Sequence, residues 1–169
     1  QYFDVEKVII YSPSLHLYDG KKQPGEIMIL HKNNYDELVV CIPINVSDSS
    51  NTLLDDIAIE CGKTIIEEDS SSVLNVSNYN LSQFINKETP YIYYNGDVSS
   101  ECKMKSNVIV FGNANNHVTI KQNNLNIIRA LVTFPIVSVY DTPFYKTTSK
   151  PIKMSGNENY TRCYLKSNL

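Results

Sequence analysis

The sequence predicts a single α+β domain that consists mainly of β-strands. Short apolar runs of strand length recur along the chain, turn-forming residues separate them, and only two segments have the 3.6-residue spacing of a helix. The 169 residues are enough for one domain with a sizeable core. No internal repeat or domain boundary divides the chain, so we expect one domain over residues 1–169.

The N-terminal part predicts a central, twisted and mostly antiparallel sheet. Strands are expected at residues 5–11, 26–31 and 38–46, because each is rich in Val, Ile or Leu and is bounded by turn residues. Asp19-Gly20 is a hairpin signal between the first two. Short connections of this kind join antiparallel strands, and strands of L-residues twist.

Two short helices are also predicted. Asn51 or Thr52 could cap the first, which keeps helical spacing as far as Gly62, and Gly62 would end it. The second covers residues 122–131.

The rest of the chain predicts short elements and loops. Further strands are expected at residues 91–94, 107–111 and 134–140, with a short extended piece at 118–120. Residues 67–72 are acidic and serine-rich and predict a solvated loop, and residues 141–169 predict an irregular C-terminal tail.

Composition excludes several classes of function. The net charge of −3 gives no global attraction to nucleic acid or to acidic membranes. No segment approaches the roughly 20 apolar residues of a membrane span. We therefore expect no nucleic-acid partner and no membrane span.

No metal or cofactor is predicted from the motifs. The histidines lack the i, i+2 and i, i+4 spacings of strand and helix metal sites, and the cysteines form no C-x-x-C pair and are expected to be thiols. Nucleotide-binding glycine loops and the G-x-S-x-G motif are absent from the sequence. The residues considered were His16, His31, His117, Cys41, Cys61, Cys102 and Cys163.

Three segments, in order, resemble the α-carbonic anhydrase family. Residues 15–33 (LHLYDGKKQPGEIMILHKN) are similar to the family's E-H-x-x-D-G-K-x-x-x-x-E-x-H-x-V-H-x-N run. Residues 84–100 resemble its Y-x-x-Y-x-G-S-L-T-T-P-P element, and residues 107–131 its W-x-V-F to Q-L region. The match runs from about residue 5 to residue 131, without the family's N-terminal third. The resemblance implies a carbonic anhydrase-type sheet.

The resemblance also assigns site positions. Those of the three zinc-binding histidines are Ile9, Tyr11 and Met28, none of which suits zinc. The family's gatekeeping Glu and Thr are replaced by Leu15 and Ser99, whereas His16 and His31 match structural histidines that are retained. We therefore expect no catalytic residues, no metal and no enzyme activity.

The function expected from this resemblance is a structural or binding role. Abundant Asn, Ile, Lys and Tyr, whose codons are AT-rich, point to a large DNA virus and a virion or capsid location. Expected partners are other protein chains, or a missing N-terminal segment if the chain is a fragment, that cover the sheet edges. The alternatives are a metal-dependent lyase, with zinc rebuilt from other groups, and a virion protein that binds a cell-surface glycan. A basic patch for a glycan would consist of Lys21, Lys22, Lys32, Lys103 and Lys105.

Overall fold

The structure, a computed structural model, describes residues 3–34, 36–63, 73, 76, 79–86, 89–96, 106–113, 118–131 and 153–154. The strands are β1 (Asp4–Tyr11), β2 (Leu17–Tyr18), β3 (Lys21–Lys22), β4 (Gly25–Lys32), β5 (Glu37–Val46), β6 (Tyr91–Gly96), β7 (Ser106–Phe111), β8 (Thr119–Ile120) and β9 (Lys153–Met154). The helices are α1 (Thr52–Lys63), a 3-10 turn (Leu81–Phe84) and α2 (Gln122–Leu131).

The main sheet has seven strands and confirms the predicted fold class. Its order is β1-β4-β5-β7-β6-β9, and β8 pairs with β5. The long ladders β1–β4, β4–β5 and β6–β7 are antiparallel, whereas β5 pairs with β7, and β6 with β9, in parallel. The sheet is therefore mixed, because the chain crosses over through α1 before it returns to pair with β5. Strand β9 lies within the segment that the sequence predicted as an irregular tail.

The hairpin β2–β3 forms where Asp19-Gly20 predicts it. Both turn residues have positive φ, 51° for Asp19 and 76° for Gly20, a conformation that glycine adopts freely and that aspartate tolerates. The loop from β1 to β4, which contains this hairpin, folds over one face of the sheet. Its ends are joined by the backbone bond from Ser14 N to Gln23 O, 3.1 Å long.

Helices α1 and α2 cover the other face of the sheet. Asn51 caps α1, because its Oδ1 accepts a hydrogen bond from Leu53 N at 3.0 Å. The helix continues through Gly62 to Lys63, one residue beyond the predicted end. The helix-side cluster joins the apolar faces of both helices to alternate residues of β4, β5 and β8, and its buried members include Ile27, Ile42, Leu54, Ile120 and Leu125.

A second buried cluster lies on the face under the hairpin. Successive strand residues point to opposite faces, so Met28, Val39 and Cys41 face away from the helices. We call this the hairpin-side cluster; its buried members are Leu15, Tyr18, Met28, Val39, Cys41, Tyr94, Val108 and Val110, and Ile9, Tyr11 and Leu30 pack against it.

Several predicted features lie outside the described residues. They are the loop 67–72, the strand 134–140, Ser99, Lys103, Lys105, His117, Cys102 and Cys163. Cys41 and Cys61 are free thiols, as predicted. No helix in the described part of the chain is long and apolar enough to cross a membrane.

Candidate functional site

The three positions assigned to zinc ligands lie together on the hairpin side of the sheet. Ile9 pairs with Met28 across β1 and β4, and Tyr11, two residues after Ile9, pairs with Glu26. Met28 is in turn opposite Cys41 on β5. Met28 belongs to the hairpin-side cluster, and Ile9 and Tyr11 pack against it, so the structure brings the three positions that the resemblance assigns to one place.

Leu15 and His16 are held over this cluster by serine hydrogen bonds. Ser14 Oγ donates to the carbonyl oxygen of His16 at 2.7 Å and accepts from Gln23 N at 2.9 Å. Leu15 is buried in the cluster, next to the predicted zinc positions. His31, the other retained histidine, lies elsewhere on β4, with its Nδ1 3.2 Å from the carbonyl oxygen of Ile29.

His16 is the centre of a buried polar network that joins three elements. Its Nδ1 lies 2.5 Å from Glu26 Oε1, and its backbone N–H donates to Glu26 Oε2 at 2.9 Å. Its Nε2 lies 2.7 Å from the hydroxyl of Tyr94 on β6. The side chains of His16 and Glu26 are both 0% exposed. The network therefore ties the hairpin loop to β4 and β6.

Glu26 has a lowered pKa in spite of its burial. Burial by itself would raise the pKa of its carboxyl group, but the charge of His16 and the hydrogen bonds from His16 and Leu15 outweigh it and lower the pKa below its ordinary value. Burial also raises the pKa of the Tyr94 hydroxyl and the Cys41 thiol well above their ordinary values, with the nearby Glu26 adding to it. These two groups are held in their neutral forms.

This lowered pKa predicts an acid-sensitive contribution to stability. Because the folded-state pKa of Glu26 is depressed, its contribution is present above the ordinary carboxyl pKa of about 4.3 and is lost as the pH falls through the folded-state pKa. In urea unfolding, we expect the difference in the free energy of unfolding between the native protein and Glu26→Gln to become smaller as the pH falls through this range. A gap that stays constant down to the acid transition would contradict the prediction.

Sequence reasoning gave no role to Glu26, Cys41, Tyr18 or Tyr94. His16 Nδ1, a carboxylate oxygen of Glu26 and Cys41 Sγ all lie within 4.8 Å of one another, and all three residues are buried. Such a set can hold a metal ion. A carboxylate inside the apolar run of β4 is the signal that could have identified Glu26, because a buried charge needs a partner.

Comparison with solved structures identifies the fold. No protein-family model matches the chain, and no curated protein matches its sequence. The α-carbonic anhydrase of Thermovibrio ammonificans, solved with the inhibitor sulfanilamide, superposes with a TM-score of 0.65 at 16% identity, over 92% of this chain and 61% of that chain. The chain has a carbonic anhydrase-like fold.

Two further solved structures extend the comparison. The Photobacterium profundum α-carbonic anhydrase has a TM-score of 0.64 at 14% identity and covers 92% of this chain and 63% of its own. Dioscorin complexed with ascorbate has a TM-score of 0.55 at 16% identity, over 74% of this chain and 51% of that one. The chain thus spans about three fifths of the length of the first two structures.

The prediction that the chain is not an enzyme is contradicted. It was based on Ile9, Tyr11 and Met28 at the assigned ligand positions. The solved structures of the same carbonic anhydrase-like fold from T. ammonificans, P. profundum and Aspergillus oryzae are all named carbonic anhydrases, which are enzymes. Substitutions at three positions are not enough to show that a chain lacks activity, since other groups on the same fold can carry chemistry.

The three assigned positions themselves do not fit a zinc ion. Ile9 has no donor atom, and the thioether of Met28, 1% exposed, is a soft and neutral donor. Burial, followed by the neighbouring Cys41 and Glu26, raises the pKa of the Tyr11 hydroxyl above its ordinary value, so Tyr11 is neutral and the three positions together supply neither an imidazole nor an anionic donor. We derive no zinc chemistry from these three residues.

Proposed function

We propose that this protein is a carbonic anhydrase-like binding protein whose edge strand β1 pairs with a strand of a partner protein. The observation that carries the proposal is an apolar edge strand that is incompletely buried. β1 ends the strand order of the main sheet and pairs only with β4 among the described residues. Adding a strand to an open edge supplies main-chain hydrogen bonds and specific side-chain pockets.

Both faces of β1 are apolar in its second half. Val8 and Ile10 contact the helix-side cluster, whereas Ile9 and Tyr11 contact the hairpin-side cluster. Strands that are apolar on both faces are typical of sheet interiors. None of the β1 residues is buried, although its neighbour β4 has five buried residues. The residue types of β1 therefore suit an interior strand better than an edge.

The second half of β1 also lacks the usual protection of an edge strand. Charged residues and prolines keep edges from pairing, but residues 8–11 are Val-Ile-Ile-Tyr. The charges of β1 are confined to its first half, where Glu6 pairs with Lys32 at 3.1 Å. This supports a partner strand that pairs with residues 8–11 and continues along β1 past Val5, whose apolar side chain is half exposed.

Photo-crosslinking in the cell that makes the protein tests this function. A crosslinking amino acid at Val5, which is 50% exposed on β1, is compared with one at Ile59, which is 48% exposed on α1. We expect the Val5 position to crosslink to one recurring segment of another protein, and the Ile59 position to give no such product. A crosslink from Val5 to this chain's own residues, or the same products from both positions, would overturn the proposal.

The open edge also predicts self-association when the partner is absent. Val5→Lys is expected to weaken self-association of the purified chain about tenfold, because it removes roughly 1 kcal/mol of apolar burial and adds charge repulsion between copies. Sedimentation equilibrium measures the dissociation constant. Ile59→Lys is the matched control and should leave that constant unchanged, so equal effects of the two substitutions would argue against pairing through β1.

A second candidate function is a metal-dependent carbonate dehydratase. The observation that favours it is the fold shared with proteins named carbonic anhydrases, two of them solved with sulfanilamide and acetazolamide. CO₂ hydration by the purified chain, with and without added zinc, tests this candidate. Zinc-dependent hydration that sulfanilamide inhibits would support it, and a rate equal to that of zinc in buffer would count against it.

A glycan-binding role has less support. Lys32 is paired with Glu6, and Lys22 Nζ donates to the carbonyl oxygen of Leu15, which leaves Lys21 as the described lysine of the patch without an ion pair or hydrogen bond assigned to it. Sulfated chains need several converging cations. The virion location stays a prediction, supported by composition and by the family resemblance.

A further inference from the structure

We propose that His16, Glu26 and Cys41 bind one zinc ion beneath the hairpin, at a site separate from the three assigned positions. The donors come from the hairpin loop, β4 and β5. The inference goes beyond the binding role of β1, because it concerns what holds the hairpin to the sheet. It also departs from the sequence prediction that the chain holds no metal.

The three donors have the separation and chemistry that zinc needs. His16 Nδ1, the Glu26 carboxylate and Cys41 Sγ lie within 4.8 Å of one another. Zinc bonds of about 2.0–2.3 Å to nitrogen, oxygen and sulfur place tetrahedral donors roughly 3.3–3.8 Å apart. Nδ1 and Oε1, now 2.5 Å apart, would separate by about an ångström as the ion enters between them.

Charge balance also favours a divalent ion. One carboxylate and one thiolate neutralise Zn²⁺, which matters because His16, Glu26 and Cys41 are each no more than 1% exposed. Binding replaces the Cys41 S–H bond with a zinc–sulfur bond, and the thiol proton leaves to solvent. No electrons are transferred. The site therefore becomes neutral when the ion is bound.

The second coordination layer is already in place around His16. Binding through Nδ1 requires the ring proton on Nε2, and Nε2 lies 2.7 Å from the Tyr94 hydroxyl, which can accept it. Metal-bound histidines commonly donate their other ring N–H to an oxygen in this way, which fixes the tautomer and the ring orientation.

An independent observation, the Tyr18 hydroxyl, points to a missing ligand. Tyr18 is 6% exposed, and its buried oxygen has no partner at hydrogen-bond distance in the part of the chain that the structure describes. It faces the same cluster, because burial, with Glu26 and Cys41 nearby, raises the pKa of its hydroxyl well above the ordinary value and keeps the hydroxyl neutral. A buried hydroxyl that lacks a partner is unfavourable, and a zinc ion in the cluster gives this oxygen a partner as the fourth donor, a neutral hydroxyl that leaves the charge balance unchanged. With four protein donors and no solvent access, the site is of the closed, structural kind.

Metal titration of the whole chain tests the proposal. Zinc is first removed with a chelator, and Zn²⁺ affinity is measured by competition with a chromophoric chelator; Co²⁺ then reports thiolate coordination by its charge-transfer and visible bands. We expect one Zn²⁺ per chain. Cys41→Ser should abolish the thiolate band and weaken binding at least about 100-fold, whereas Cys61→Ser, at a thiol outside the cluster, should change neither.

Tyr18→Phe keeps the test decisive if Cys41→Ser fails to fold. Among the described residues its hydroxyl has no partner at hydrogen-bond distance, so the variant should fold as well as the native chain without metal. We expect its Zn²⁺ affinity to fall about 10-fold or more. Absence of stoichiometric zinc binding, or binding that Cys41→Ser and Tyr18→Phe leave unchanged, would overturn the proposal.

Discussion

His16→Leu is expected to lower the free energy of unfolding at neutral pH by about 3–5 kcal/mol. The substitution keeps an apolar side chain of similar size but removes both ring nitrogens. Glu26 then keeps its burial and its bond from the backbone of residue 16, but loses the charge-assisted bond to Nδ1. Tyr94 loses its partner as well. A buried carboxylate without its counterion is among the most destabilising changes in a core.

Urea unfolding followed by far-ultraviolet circular dichroism measures this loss, because the chain has no tryptophan for fluorescence. His31→Leu is the matched control: His31 is partly exposed, and among the described residues its ring contacts the carbonyl oxygen of Ile29, so its loss should stay within about 1 kcal/mol. Glu26→Leu added to His16→Leu should recover part of the stability, since no charge is then buried. Equal losses for both histidines would contradict the role given to His16.

The local elements could be predicted because their signals are local. The sequence places a strand at residues 5–11, and β1 is Asp4–Tyr11; it places a helix at residues 122–131, and α2 is Gln122–Leu131. Apolar alternation and capping residues lie within one element, so a single sequence reveals them. The Asp19-Gly20 turn is of the same kind, because its conformation depends on its own two residues.

The assembly of the site could not be predicted in the same way. His16 meets Tyr94 78 residues further along the chain, and Ser106 on β7 donates to Glu37 on β5, 69 residues apart. The parallel pairing of β5 with β7 places these residues, and no local pattern encodes that register. Family resemblance located the assigned zinc positions, but it carried no information on Cys41 and Tyr18.

This difference explains why the prediction about activity was wrong. That prediction considered only the positions that the resemblance assigned, Ile9, Tyr11 and Met28. The structure shows that other groups with chemistry on this face, His16, Glu26 and Cys41, lie together beside Met28. Ligand replacement at known positions is therefore a weak argument about what a fold can hold, because donors from other strands converge only in three dimensions.

Leu54→Ala is expected to lower the free energy of unfolding by about 3–5 kcal/mol. Leu54 lies on the inner face of α1, is 0% exposed, and packs in the helix-side cluster with residues of the sheet and of α2. Shortening it to alanine removes apolar contacts and leaves a cavity that the β-sheet beneath α1 is too rigid to fill. The loss should appear as a lower urea midpoint with an unchanged slope.

Ile59→Ala on the same helix separates packing from helix propensity. Ile59 is 48% exposed, and alanine is the better helix former, so the variant should stay within about 0.5 kcal/mol of the native protein. Leu54→Ala should leave zinc affinity unchanged, because the helix-side cluster and the hairpin-side cluster lie on opposite faces of the sheet. Similar losses of stability for both variants would contradict the packing role given to Leu54. A large loss for Leu54→Ala alone means that α1 and the sheet unfold as one cooperative unit. The site beneath the hairpin is then coupled to α1 only through β4 and β5, which contribute residues to both clusters.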